Sequence, residues 1–288
     1  METIPVGLMF ANGGRGAQPE HVRVLVEEAE SLRYESLWAV QHVVMPLGYE
    51  SRYPYSVEGT IPGGEGVPIP DPLVWLAFAG ALTSRIRLAT GVLVLPQQHP
   101  LIVAKQVATL DRLTRGRVIL GVGAGWLREE FEALDADFDH RGSRLEEDIH
   151  ILRLAWTGEA AYQGSARSFG PVRVEPTPAS RVPIVIGGHT PTAARRAGAM
   201  ADGFFPLACQ GQQLIELSQI LRRAAEEAGR EPDSIEITAE APRSATDVDA
   251  QRKAGVGRVV VNAPHVPTDQ LREALAERLE TIQRRLAS

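Results

Sequence analysis

The chain contains little that could form a disulfide or a metal site. Cys209 is its only cysteine, so no disulfide can form within the chain and no thiolate cluster can hold a metal ion. The sequence has no HExxH pattern or other paired spacing of metal ligands, and no GxSxG motif for a nucleophilic serine. We therefore expect no metal site, and we expect Cys209 to be a small buried side chain.

Positive charge and long apolar runs are also scarce. The chain has 30 Lys and Arg residues against 36 Asp and Glu residues, which gives a formal net charge of -6. Nucleic acids and anionic membranes attract clustered positive charge, so neither is an expected partner. No run approaches the roughly 20 apolar residues that cross a bilayer, and the opening residues METIPVGLMF lack the basic and long apolar regions of a signal peptide. These absences predict a cytoplasmic protein.

What is present is a regular alternation of short β-branched runs with segments of helical periodicity, which is typical of parallel βα units. Eight strands are predicted, at residues 4–10, 36–40, 85–95, 117–122, 183–186, 203–206, 234–239 and 257–262. Eight such units in one chain of this length favour an α/β fold with a closed (β/α)8 TIM barrel over a doubly wound open sheet. No linker-like segment divides the chain, so we expect a single domain over residues 1–288.

Two segments are longer than the loops of a plain barrel. Residues 43–70, rich in Pro, Gly and Tyr, follow the second predicted strand, and residues 158–181 follow the fourth strand and its helix. Long loops in compact folds are usually functional, and TIM-barrel active sites lie at the carboxyl ends of the strands. The first insertion is therefore predicted to form a lid or a wall of the substrate site, and the choice of substrate to depend on both insertions.

Three glycines alternate in the segment VILGVGAGWLREEF, residues 118–131. A dinucleotide-binding fingerprint would need a long helix from the third glycine and an acidic residue about 20 positions further on, and neither is clear here. Two interpretations stay open for this segment. One is a tight turn without a ligand, and the other is a turn whose backbone amides hold an anion.

A second glycine pair, Gly187 and Gly188, ends the fifth predicted strand directly before a helix with Thr190 as its cap. Free amides and the positive end of the helix dipole favour an anion there. Two such turns at neighbouring strand ends could together hold one elongated phosphorylated ligand. Arg195 and Arg196 lie a turn or more further along, and we expect both to be surface charges.

His42 directly follows the second strand in SLWAVQHV, so its side chain should lie near the mouth of the barrel. From position alone, a structural and a catalytic role both stay open for this histidine. Proton transfer by a positioned histidine is the commonest form of general acid-base catalysis.

Three segments resemble the bacterial luciferase-like monooxygenase superfamily, and within it the branch of probable coenzyme F420-dependent oxidoreductases. They are SLWAVQHV, TSRIRLATGVLVLPQQHPLIVAKQVATLDRLTRGRVILGVGAGWLREEFEALD and PIVIGGHTPTAARRAGAMADGFFP. The resemblance implies a TIM barrel, in agreement with the strand count, and a homodimer. It implies coenzyme F420, a deazaflavin, as the cofactor, with FMN as the alternative.

The resemblance also implies roles for particular residues. His42 matches a histidine that donates or relays a proton beside the deazaflavin, and Gly91-Val92 matches a non-prolyl cis peptide bond behind the ring. The residues implied in cofactor binding are Gln41, Gly91, Val92, Gly125, Trp126, Gly187, Gly188, His189 and Thr190.

The chain departs from the family pattern at two positions. Gln41 stands where many members have an acidic residue, and Trp126 stands where the sugar-phosphate dehydrogenases have a catalytic glutamate. A sugar phosphate is therefore not the expected substrate. An uncharged, partly aromatic pocket indicates a hydrophobic carbonyl, enone or imine.

Three functions are compatible with the resemblance. The first is hydride transfer between the deazaflavin and an unsaturated organic substrate, with His42 supplying or shuttling a proton. The second is a monooxygenase that uses reduced FMN and oxygen. The third is a catalytically silent flavin-binding barrel, and His42 argues against it because a binder needs no proton donor.

Overall fold

The computed structural model describes residues 4–287, so residues 1–3 and 288 of the predicted domain lie outside the described part. The strands are β1 Val6–Met9, β2 Ser36–Ala39, β3 Arg87–Thr90, β4 Leu93–Val94, β5 Val118–Gly123, β6 Glu159–Gln163, β7 Ser168–Arg173, β8 Ile184–Gly187, β9 Gly203–Phe205, β10 Glu236–Glu240 and β11 Val256–Asn262. The α-helices are α1 Pro19–Ser31, α2 Pro72–Leu82, α3 Pro100–Leu113, α4 Arg128–Ala133, α5 Arg141–Ala155, α6 Pro191–Met200, α7 Gly211–Glu227, α8 Ala245–Ala254 and α9 Leu271–Ala287.

The main sheet is a closed barrel of parallel strands. Its strands follow the order β3-β2-β1-β11-β10-β9-β8-β5, and the pairing of β3 with β5 closes the ring. β4 also pairs with β5, so β3 and β4 together form the third strand of the barrel. The predicted (β/α)8 TIM barrel is confirmed.

The third strand differs from its prediction, which was one unbroken strand over residues 85–95. The peptide bond between Gly91 and Val92 is cis, as the family resemblance implies, and the chain leaves the ladder between β3 and β4. The hydroxyl of Thr90, the last residue of β3, donates a hydrogen bond to the carbonyl oxygen of Gly121 across the gap at 2.6 Å. The apolar run over residues 85–95 therefore predicts one strand, although the hydrogen bonding between strands is interrupted within it.

The interior of the barrel is filled by side chains. Its inner cluster consists of Met9, Trp38, Ala89, Ile119, Val185, Phe205 and Val260. At the end where the strands begin, the buried Arg258 guanidinium donates to the carboxylates of Glu35, at 2.7 and 3.0 Å, and Glu236. Since this end is filled by an ion-paired arginine, a ligand must enter at the carboxyl ends of the strands.

The second insertion is not a plain loop. Residues 158–181 connect α5 to β8 and contain an antiparallel hairpin of β6 and β7. The tip of the hairpin docks on α5, where the Glu147 carboxylate accepts hydrogen bonds from the backbone N-H groups of Ala166 and Arg167. Within the described residues, no part of this insertion lines the large cavity described below. The structure therefore gives no support to the prediction that the choice of substrate depends on this second insertion.

The structure also shows the burial of the cysteine and the character of the helices. Cys209 is 1% exposed, as predicted. Within residues 4–287, no helix has the length and apolarity needed to cross a bilayer.

Glu30, in the last turn of α1, holds the chain where it enters β3. Its carboxylate accepts hydrogen bonds from the backbone N-H groups of Ser84, Arg85 and Ile86 at 2.8 to 3.0 Å. Burial alone would raise the pKa of Glu30, but these hydrogen bonds outweigh it and lower the pKa to about 2. The carboxylate therefore stabilises the fold in its ionised form.

We expect Glu30→Gln to lower the free energy of unfolding by about 1–3 kcal/mol at neutral pH, since it removes the charge from several hydrogen bonds. The pKa of Glu30 is depressed in the folded state. The loss of unfolding free energy is therefore fully present at pH values above 4.5, the ordinary pKa of glutamate, and it shrinks as the pH falls toward about 2. Urea unfolding at several pH values measures it. The control is Glu27→Gln, because Glu27 is exposed and makes only a 3.7 Å ion pair with Arg23. Equal losses in the two variants would contradict the assignment.

Candidate active site

One large cavity, of about 1000 Å³, lies at the carboxyl ends of the barrel strands. All the residues that the sequence implicated in the site line it: His42 and the cofactor-binding candidates Gln41, Gly91, Val92, Gly125, Trp126, Gly187, Gly188, His189 and Thr190. They come from the ends of β2, β5 and β8 and from the break between β3 and β4. The fold therefore brings together residues that are up to 149 positions apart in the chain, from Gln41 to Thr190.

The first insertion forms one wall of the cavity, as predicted. Its lining residues are Tyr53, Pro54, Tyr55, Ile61, Pro62, Gly63, Val67 and Ile69. Trp126 contacts the first insertion edge-on. Its ring centroid lies 5.7 Å from that of Tyr49 and 5.2 Å from that of Tyr53. Burial, together with the nearby Cys209, raises the pKa of the Tyr55 phenol to about 12. Tyr55 is therefore a neutral phenol at physiological pH, and this wall is aromatic and uncharged.

His42 is paired with a carboxylate that sequence reasoning missed. Its Nδ1 lies 3.0 Å from Oε2 of Glu130, and the two side chains are 10% and 1% exposed. The other oxygen of Glu130 accepts hydrogen bonds from the backbone N-H groups of Val43, at 2.6 Å, and Val44, at 3.3 Å. The sequence held a weak signal, because Leu127, the residue before α4, and Phe131 are apolar at i, i+4 spacing and Glu130 lies three residues after Leu127.

Glu129, the neighbour of Glu130, also holds the first insertion. Its Oε1 accepts hydrogen bonds from the backbone N-H groups of Glu50, at 2.8 Å, and Ser51, at 3.0 Å. Burial would raise the pKa of Glu129, but the hydrogen bonds from Ser51 and Glu50 outweigh it and lower the pKa to about 2. Two consecutive carboxylates therefore fix the beginning of the insertion over the cavity.

The alternating glycines of the segment 118–131 mainly make room for the broken third strand. A Cβ on Gly121 would lie 2.0 Å from the carbonyl oxygen of Thr90, and one on Gly123 would lie 2.8 Å from a methyl group of Val92. Gly187 packs against Val92 in a similar way, since a Cβ there would lie 2.6 Å from the other methyl group of that valine. These contacts favour close packing over an anion site at this segment.

The turn at Gly188 has the features of an anion site. Gly188 has φ +141, and a Cβ there would lie 2.9 Å from the Cβ of Ala193. Thr190 caps α6 by accepting a hydrogen bond from the backbone N-H of Ala193 at 3.2 Å, as the sequence predicts. His189 Nδ1 is buried without a hydrogen-bond partner among residues 4–287, and burial lowers the pKa of this imidazole.

Two arginines also line the cavity. Arg196 was predicted to be a surface charge, but its side chain is only 11% exposed and pairs with Glu146 at 2.8 Å. The reason is the period of the helix, because Arg196 shares the cavity face of α6 with Thr192, whereas Arg195 is exposed as predicted. The second is Arg141, the first residue of α5, whose guanidinium lies 3.8 Å over the ring of Phe138.

Gln41 has a defined structural partner in the site. It is 5% exposed, and its Oε1 accepts a hydrogen bond from the backbone N-H of Val94 at 2.7 Å. An acidic residue at this position would accept the same bond, but it would add a negative charge beside the cavity. The amide therefore holds the restart of the third strand without adding charge.

The cavity lining thus combines two chemically different surfaces. Two guanidinium groups, the beginning of α6 and the unpartnered nitrogen of His189 form one, and the aromatic wall of the first insertion forms the other. The two surfaces meet where the rings of Tyr55 and His189 are in contact, with centroids 5.0 Å apart. Charged donors and helix N-termini bind phosphate, and apolar walls bind planar rings and hydrophobic substrates. These residues fit a flavin or deazaflavin that carries a phosphate.

Comparison with known proteins gives the family. The family model described as luciferase-like monooxygenase matches residues 6–287. An F420-dependent glucose-6-phosphate dehydrogenase from Nakamurella multipartita is 34% identical over 194 residues, which cover 65% of this chain and 57% of that protein.

Two solved structures share the fold over nearly the whole chain. The coenzyme F420-dependent tetrahydromethanopterin reductase from Methanopyrus kandleri has a TM-score of 0.72 and 18% identity, with 96% of this chain and 97% of that chain covered. The monooxygenase RslO1 from Streptomyces bottropensis has a TM-score of 0.66 and 25% identity, with 98% and 83% covered. The protein belongs to the luciferase-like monooxygenase family and is an oxidoreductase of the kind that uses coenzyme F420 or a flavin.

Proposed function

We propose that the protein is an F420-dependent oxidoreductase that transfers a hydride between the deazaflavin and a small hydrophobic substrate with a C=C, C=O or C=N bond. The observation that carries the proposal is the His42–Glu130 pair in a cavity that is lined by two arginines and by an aromatic wall. The F420-dependent relative named above supports this cofactor over FMN. A barrel that only stored a flavin would need no such proton-transfer pair.

The cofactor's anionic part would be held by the turn Gly188–Thr190 with Arg141 and Arg196, and its ring by the Gly91-Val92 segment. When bound, the deazaflavin supplies or accepts a hydride at its ring. His42 has its Nδ1 directed at Glu130, so Nε2 is the ring nitrogen that can exchange a proton with the substrate. In the reducing direction, a His42 ring protonated on both nitrogens gives its Nε2 proton to the substrate atom that becomes negative as the neighbouring carbon is reduced, and keeps its Nδ1 proton toward Glu130.

The substrate class follows from the wall of the first insertion. Tyr53 and Tyr55 remain neutral because burial raises the pKa of both phenols, and Trp126 adds a third apolar surface. These rings exclude water from the reacting bond, and the wall that they form presents no cation for a phosphate. We propose an enone, ketone or imine of modest size, and the homodimer that the resemblance implies stays a prediction.

The first test is turnover without oxygen. The protein is mixed anaerobically with reduced F420 and a panel of cyclic enones, ketones and imines. We expect at least one member of the panel to be reduced, with one substrate molecule reduced for each cofactor oxidised. Hydride transfer needs no oxygen, whereas the FMN monooxygenase alternative does. Absorbance of the oxidised deazaflavin follows the reaction. Consumption of substrate only with FMN and oxygen would replace this proposal with the alternative.

His42→Ala tests the proton donor. We expect cofactor affinity to stay within about tenfold and turnover to fall by roughly 100-fold or more, the usual range for loss of a general acid or base. The matched control is His150→Ala, because His150 is exposed on α5 and does not line the cavity. Turnover that is unchanged in His42→Ala would remove this residue from the mechanism.

Gly188→Val tests the anion turn. The added side chain would meet Ala193 and would force a β-branched residue into positive φ, so we expect F420 to bind at least tenfold more weakly. Fluorescence titration measures the affinity. Gly170→Val is the control, since a Cβ at Gly170 on the exposed hairpin meets no atom within 4 Å. Unaltered affinity in Gly188→Val would disprove the assignment of this turn.

A further inference from the structure

The pairing of His42 with Glu130 points to a residue that acts on the proposed reaction without touching the substrate. We infer that Glu130 is a positioning residue, which holds the proton of the neutral His42 ring on Nδ1 and leaves Nε2 free toward the cavity. Its effect on catalysis rests on the proposed function of His42. Its effect on the histidine tautomer is independent of that function.

The argument begins with what each oxygen of Glu130 faces. Oε1 lies 2.6 Å from the backbone nitrogen of Val43 and 3.3 Å from that of Val44, and backbone N-H groups can only donate. Oε1 is therefore an acceptor. Oε2 faces only the Nδ1 of His42, at 3.0 Å, among the hydrogen bonds of the described chain.

A buried carboxylate needs donors for its charge. Glu130 is 1% exposed, so water does not hydrate it, and three N-H groups take the place of water when His42 carries its proton on Nδ1. A proton on Nε2 instead would leave two lone pairs facing each other, unless Glu130 took up a proton itself. Hydrogen bonding to the charged form favours that form, so the Nδ1 tautomer is the one that satisfies every partner.

The ring also contacts Trp126. The two ring centroids are 5.9 Å apart and the planes meet at 82°, an edge-on contact. A carboxylate and an indole therefore both contact His42, and a flip of the imidazole would break its bond to Glu130. Orientation of a catalytic histidine by a carboxylate on its second nitrogen is a general means of setting which nitrogen reacts.

Glu130 also links the histidine to the first insertion. The N-H groups that it accepts belong to the first residues of that insertion, which lines the cavity further along. Glu129 holds the same insertion through Glu50 and Ser51 but has no contact with His42 in the described hydrogen bonds. The chain therefore offers a matched control, one residue away on the same helix.

Substitution of Glu130 by glutamine makes the inference sharp. Glutamine has one oxygen and one NH2 group, and the N-H groups of Val43 and Val44 require the oxygen. The NH2 group then faces His42 and donates to Nδ1, which has to accept. Glu130→Gln should therefore move the proton of the neutral ring from Nδ1 to Nε2.

Nitrogen-15 NMR of protein labelled in its seven histidines measures this directly, without any cofactor, at a pH where the ring is neutral. The spectrum of His42→Ala identifies the His42 signals. We expect an Nδ1-H tautomer in the unsubstituted protein and in Glu129→Gln, and an Nε2-H tautomer in Glu130→Gln. An Nε2-H tautomer in the unsubstituted protein would overturn the inference even if Glu130→Gln failed to fold, and so would an unchanged tautomer in a folded Glu130→Gln.

Kinetics then separates the inference from the proposed function. We expect Glu130→Gln to lower kcat by about 10- to 100-fold, the scale for loss of a residue that orients a reacting group, with a smaller change in KM. If the tautomer inverts while kcat is unchanged in both Glu130→Gln and His42→Ala, the positioning role stands and the proposed role of His42 fails. If His42→Ala loses turnover but the tautomer does not invert, the proposed function stands and the inference fails.

Discussion

The active-site end of this barrel depends on one constraint: the buried carboxylate of Glu130 has to find donors within the protein. It finds them in the ring of His42 and in the backbone of Val43 and Val44, and so ties the end of β2 to the helix that follows β5. Glu129 repeats the arrangement one residue away with Glu50 and Ser51. Through these two side chains the short α4 fixes both the histidine and the wall above it.

The floor of the cavity is set by a second constraint, the broken third strand. The side chain of Val92 packs where a Cβ of Gly123 or of Gly187 would lie, and Thr90 approaches Gly121 in the same way. The glycines that first suggest a phosphate-binding loop thus serve the packing of the barrel itself. The anion-binding features remain at Gly188 and in the arginines beside it, which leaves the centre of the cavity for a ring system.

Much of this architecture could be predicted from local patterns. The helix start at Thr190 was predicted from its capping side chain, which accepts the expected backbone hydrogen bond. A cap is decided within four residues, so a short segment contains the whole signal. The strand positions and the position of His42 at the mouth of the barrel were predictable for the same reason.

What could not be predicted depends on contacts between distant segments. His42 and Glu130 are 88 residues apart, so their pairing exists only once β2 and β5 lie in one barrel. The hairpin of β6 and β7 was missed because most of its side chains are exposed, which leaves no apolar alternation to detect. Arg195 and Arg196 were both predicted to be surface charges, but only Arg195 is exposed. The two are adjacent in sequence, and the helix period turns their side chains to different faces of α6.

The most direct test of this account is a pair of equilibrium titrations of the purified protein, one with coenzyme F420 and one with FMN, followed by fluorescence. A cavity with these arginines and this aromatic wall, in a chain similar to F420-dependent enzymes, should bind F420 at least tenfold more tightly than FMN. Tighter binding of FMN, or binding of neither, would contradict the account.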